Sequence, residues 1–154
     1  MYNFLLTIHI IAAGIWLTNF IFSGLINNQL EGKNLKENLS LVKFYLRYSN
    51  ILGMVGSLLI LFTGVFLVIS SSHFGFFTMK ANHWLTTKQI IMVVILLLTF
   101  ISLIPKAKKL KALLSGSSLT DGQTELKAFN KINLTLNILV LVNFLFALSH
   151  RLMS

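Results

Sequence analysis

Few side chains in this sequence can do chemistry. There is no cysteine, so no thiolate nucleophile, disulfide or sulfur-bound metal is available. The candidates are His9, His73, His83 and His150, together with Lys88, which lies inside an apolar run. Neutral imidazole is a ligand for haem iron, copper and zinc. His9 is the sharpest of them. It sits well within the first apolar run, and an imidazole buried there needs a hydrogen-bond partner or a ligand. Ala12, Ala13 and Gly14 follow it, small enough for a flat macrocycle to approach the helix, and Trp16 with nearby phenylalanines supplies an apolar wall. The other histidines also have plainer readings. His83 beside Trp84 and His150 beside Arg151 fit interfacial anchors, His73 fits a solvated loop, and Lys88 could snorkel outward. No HxxxH or carboxylate pair stands at ligand spacing, so a copper or zinc site would need His9, His83 and His150 to converge in the fold.

The elements that must position these residues are membrane spans. The chain has 154 residues, is 55% hydrophobic and only 11% charged, and reads as one domain, residues 1–154. Four runs, Asn3–Ile26, Ser49–Ser70, Trp84–Ile104 and Ile132–His150, are long enough to span. Roughly 20 residues of helix cross a hydrocarbon core of about 30 Å. The expected fold is an all-α integral membrane four-helix bundle. The first run lacks a basic leading segment and reads as a span rather than a cleavable signal peptide. The net charge of +9 does not indicate nucleic acid, because the basic residues cluster beside the apolar runs. Lys33, Lys36, Lys43 and Arg47 fill the first loop, and Lys106, Lys108, Lys109, Lys111, Lys127 and Lys131 fill the third. The positive-inside rule puts those loops in the cytoplasm and both termini outside. On that topology all four histidines lie in the outer half, with His9 about 9 Å below the outer end of its helix.

The helical period gives each span one polar or small-residue face. These faces are His9, Ala13, Trp16, Phe20 and Gly24; Asn50, Gly53, Ser57, Gly64 and Ser71; Lys88, Met92, Ile95, Thr99 and Ser102; and Asn133, Asn137, Asn143, Ala147 and His150. Together they predict one bundle interior, with Gly53 and Gly64 allowing close helix approach. Leu35, Leu39, Val42 and Leu46 recur at helical spacing, so the second helix is expected to begin early. Lys106–Leu114 reads as a basic helical extension and Glu125–Lys131 as a protruding helix start, both cytoplasmic. Ser115–Gln123 reads as a loop.

Several of these motifs resemble the membrane superfamily of HemJ-type protoporphyrinogen oxidases and CopD-like proteins. Leu6–Leu25 (LTIHIIAAGIWLTNFIFSGL), with His seven residues before Trp, resembles its first helix. Trp84–Leu97 (WLTTKQIIMVVILL), with Lys88, resembles its third; Gly64 fits the family glycine, and Phe129 with Asn133 fits its FRxxNE motif. The resemblance implies a haem b held by His9 and Lys88, and protoporphyrinogen as substrate. The family's Pro-Arg pair late in the first helix is absent, and Asn130 and Leu134 stand where FRxxNE has Arg and Glu. The missing charges are natural partners of porphyrin propionates, so the haem pocket carries over more directly than the oxidase activity.

The expected function is therefore a haem b-binding protein related to HemJ, in electron transfer or porphyrin handling, or a divergent oxidoreductase of the porphyrinogen-oxidase kind. The expected cofactor site is His9, Lys88, Trp16, His83, His150 and Asn133, with metal ligation by His9 and by Lys88 or His150. The alternatives are a CopD-like copper-handling protein and a cofactor-free accessory subunit. The expected partners are the lipid bilayer, a porphyrin substrate or membrane redox partner, and further copies or subunits of a complex. The expected location is the bacterial inner membrane.

Overall fold

A computed structural model describes the chain except for residues 31, 32, 34, 36, 72, 73, 80–82, 117, 118 and 154; the side chains of 119, 120 and 150–153 are also outside the description. His73 and the side chain of His150 therefore lie outside the described residues. The described elements are α1 (Tyr2–Leu30), α2 (Leu39–Ile69), α3 (His83–Leu98), a π-helical turn (Thr99–Leu103), α4 (Ile104–Ser115) and α5 (Leu119–Met153), with no strand among them. Four helical stretches, counting α3 through α4 as one, are long and apolar enough to cross a membrane. The outer surface agrees: Ile21, Phe62, Phe66 and Ile101 are each more than half exposed. A belt of this kind aggregates in water and is solvated by lipid. The protein is an all-α, multi-pass membrane bundle.

Each helix outruns its expected span at the basic end, where α2 starts at Leu39 and α4 carries the predicted Lys-rich extension. The π turn comes just before Pro105, the chain's one proline. Proline has no N–H and its ring crowds the carbonyl four residues back. A wider turn lets the helix run on without a sharp break. The expected loop Ser115–Gln123 is mostly helix, because α5 already begins at Leu119. Gly122, read as a turn signal, is instead a packing glycine. A Cβ there would come within 3.1 Å of Leu35 Cδ2. Asp121 in the first turn complements the helix dipole.

α1 packs on α2 and α5, α5 packs on α3, and α4 closes against α2 and α5. Two cores result. At the basic end Val42, Tyr45, Leu110 and Phe129 are sealed, and Glu125 pairs with Lys106 (3.3 Å) and Lys109 (3.0 Å). Farther along, Trp16, Ile95, Leu136 and Val140 form the second core.

The close approach between α1 and α2 is made at Gly56 rather than Gly53. A Cβ on Gly56 would stand 3.5 Å from Trp16 Cβ, whereas one on Gly53 would meet nothing within 4 Å. Gly56→Leu should therefore force the helices apart at a cost of about 1–3 kcal/mol. Gly53→Leu, at a buried glycine whose added Cβ meets nothing within 4 Å, should cost clearly less. Equal melting of the two variants would contradict this register.

Candidate functional site

His9 is held by α1 with its ring edge against α2. Its Nδ1 lies 2.8 Å from the Thr63 hydroxyl, and a Cβ on Gly64 would come within 3.4 Å of its Cε1. One arrangement of the hydrogens suits a ligand role. With the Thr63 hydroxyl turned to the Leu59 carbonyl one turn back, it offers His9 only lone pairs. In that arrangement Nδ1–H donates to Thr63 and a neutral ring keeps its lone pair on Nε2. This is how metal-ligating histidines are commonly oriented, with the second nitrogen anchored to an oxygen.

Lys88 comes from α3 on the facing side. Its ammonium lies 5.8 Å from the centroid of the Trp84 ring, and Trp84 is itself set by an edge-on contact with Phe74 at 5.8 Å. Ring and cation attract at this distance. Two cavities adjoin here. One, of about 380 Å³, lies between α1, α3 and α5 and is lined by His9, Ala13, Trp16, Lys88 and Ala147 among others. The other, of about 310 Å³, lies between α2 and α3 and is lined by Gly64, Val68, Phe76, Phe77 and Gln89 among others. They share His9, Ile60, Lys88, Met92 and Asn143. Each is within the size range of small-ligand sites, about 300–1,000 Å³.

Two further features mark the region. The Asn143 carboxamide oxygen is buried without a partner. The loop over the second cavity is tied down by Gln89, which accepts from the Phe77 N–H at 2.7 Å and donates to the Gly75 carbonyl at 3.4 Å. Phe77 holds a positive φ of 54°, a conformation that costs a non-glycine residue free energy and recurs at ligand sites.

The fold thus brings together His9, Lys88 and Trp16 from the expected site. His83 is exposed, with its Nδ1 3.1 Å from the Met79 carbonyl, and lines neither cavity. Asn133 is also elsewhere. Its amide donates to Ser23 Oγ (2.9 Å) and the Tyr45 hydroxyl (3.0 Å), in the half of the bundle nearer the basic end. Among the described residues no three His, Asp or Glu side chains cluster as a metal site. Sequence reasoning missed Thr63, Asn19, Ser23 and Tyr45. A threonine in an apolar helix ordinarily bonds its own preceding turn, so nothing in the sequence flagged Thr63 as a second-partner residue.

Compared with known protein families, with characterised proteins and with solved structures, the chain matches none.

Proposed function

We propose that this protein binds haem b between its helices, that His9 would hold the iron, and that it serves electron transfer or porphyrin handling in the manner of the HemJ-like proteins it resembles. The observation that carries the reading is His9 itself, anchored through Nδ1 to the Thr63 hydroxyl at 2.8 Å and lining two adjoining cavities. The residues common to both cavities, among them His9, Lys88 and Met92, would hold the group. When bound, the iron would supply one-electron chemistry. Lys88 would either complete the coordination or hold a propionate as a cationic donor, and the unpartnered Asn143 carboxamide adds a polar contact. Trp16 and Met92 would keep water from the site.

The test is the absorption spectrum of protein purified from haem-replete cells, with and without dithionite. A Soret band with sharpened α and β bands on reduction supports the reading. Colourless protein sinks it in favour of a cofactor-free subunit.

The same reading puts the termini outside and the basic loops in the cytoplasm of a bacterial inner membrane, from the distribution of Lys and Arg. Cysteines introduced at Ser154 and Ser117 should then differ, with only the first labelled by an impermeant reagent from the outer side. The opposite pattern would invert the membrane and put the haem at the cytoplasmic face.

A further inference from the structure

Several asparagines inside the bundle join one helix to another. The Asn133 amide donates to Ser23 Oγ (2.9 Å), Ser23 donates to Asn19 Oδ1 (3.5 Å), and the Asn19 amide donates to Asn137 Oδ1 (3.3 Å). Asn50 is placed differently. The helical period assigns it to the inner face of α2, yet its side chain is exposed. Lys43 and Arg47 are exposed as well, and Met54 is 48% exposed. The steps from Lys43 to Arg47, Asn50 and Met54 are four, three and four residues. Such spacing puts the four side chains in one stripe along the helix.

The chemistry along this stripe changes in the order of a phospholipid: cation, amide, thioether. Helical rise puts Asn50 about 4.5 Å deeper than Arg47 and Met54 about 6 Å deeper again. The interfacial layer of one leaflet is about 5–8 Å thick. Aromatic rings mark that layer beside the stripe. Phe22 and Tyr48 have centroids 3.9 Å apart, Phe44 lies 6.1 Å from Tyr48, and Phe44 is 55% exposed. Among the described residues neither cation has an ion pair and the Asn50 carboxamide makes no hydrogen bond. Lys106 and Lys109, by contrast, share Glu125. The nearest acid in sequence, Glu37, precedes α2. An amide facing lipid without a partner is costly in hydrocarbon, and it is satisfied where the lipid itself is polar.

We infer that the Lys43, Arg47 and Asn50 face of α2 binds an anionic phospholipid of the surrounding bilayer. The two cations hold its phosphodiester, with the Arg47 guanidinium able to donate two parallel hydrogen bonds. The Asn50 amide donates to a glycerol-ester carbonyl one layer deeper. The acyl chains run on over Met54 and Leu58, which continue the exposed face. A phosphocholine headgroup brings its own cation, which the two basic side chains repel, so the net charge of the lipid decides occupancy. The site lies toward the basic end, away from His9, and does not depend on haem.

The test uses the full chain in neutral detergent, titrated with dioleoylphosphatidylglycerol or dioleoylphosphatidylcholine and read by native mass spectrometry. The wild type should bind the phosphatidylglycerol more tightly. Lys43→Gln combined with Arg47→Gln should weaken that binding about thirtyfold, about fivefold for each cation, and erase the preference over phosphatidylcholine. Lys108→Gln combined with Lys111→Gln removes the same charge from exposed positions on α4 and should leave the preference in place. Asn50→Leu should weaken both lipids alike by about fivefold, the loss of one hydrogen bond, since they share the ester region. All five positions are exposed, so the substitutions leave the packed interior intact. Equal binding of the two lipids by the wild type, equal losses in the two double variants, or wild-type binding by Asn50→Leu would overturn the inference. The face would then be left to bulk electrostatics or to a soluble acidic partner.

Discussion

His9→Ala protein purified from haem-replete cells has no Soret band, and added imidazole restores one. This is the largest effect expected of any single substitution, because it removes the one imidazole among the described residues that lines the two cavities. Rescue by free imidazole separates loss of a ligand from loss of the fold. Thr63→Val tests the anchor without touching the ring. It removes the oxygen 2.8 Å from Nδ1, and losing the group that anchors a ligating histidine commonly changes metal affinity by about 10–100-fold. The variant should therefore load haem partially and lose it faster to apomyoglobin. Retention of the full spectrum in His9→Ala would defeat the assignment of the ligand, whatever the wild-type colour.

The largest stability effect is expected at Tyr45, which is fully buried. Its ring meets Phe129 edge-on at 5.8 Å and Phe22 at 6.4 Å, and its hydroxyl accepts from the Asn133 amide at 3.0 Å. Truncating a buried aromatic costs about 3–5 kcal/mol through lost contacts and the cavity left behind. Interhelical hydrogen bonds in membranes are worth less, about 0.6 kcal/mol on average and about 1.7 at most. Tyr45→Ala should consequently cost several times more than Tyr45→Phe in reversible detergent unfolding. Similar losses in both variants would mean that the hydroxyl, not the ring, holds the basic end together.

The existence and number of the spans were legible because four long apolar runs have no reading in water. The polar faces of α3 and α5 were legible too. Lys88, Met92, Asn143 and Ala147 line the first cavity, and Ile95, Thr99, Asn133 and Asn137 are buried. The face of α1 was misjudged by one position. The expected series His9, Ala13, Trp16, Phe20, Gly24 drifts around the helix, whereas the buried series is Ala12, Trp16, Asn19, Ser23, Ile26. The second series steps by four and three in alternation, a period of 3.5 that follows a left-handed supercoiled neighbour. Only the packing of α2 and α5 selects that period. Asn19 and Ser23 therefore escaped notice, and Asn133 was assigned to the wrong half of the bundle. Gly122 was misread for a similar reason, since its use depends on Leu35, which is remote in sequence.

The polar series from Asn133 to Asn137 has an electrical consequence. A carboxamide neither takes up nor releases a proton near neutral pH. Asn19, Asn133 and Asn137 therefore interrupt any hopping path that the Ser23 and Tyr45 hydroxyls could begin. All four carboxylic acids of the chain lie toward the basic end, in or beside its loops. Among the described residues, the middle of the bundle is thus polar but proton-tight. Among the described residues this series offers no side-chain proton relay from His9 or Lys88 toward the basic end. A reaction there would carry no protonic charge through the membrane field, which otherwise weighs each translocated charge at about 2.3 kcal/mol per 100 mV. Its proton-transfer steps should accordingly respond equally in energised and uncoupled membranes.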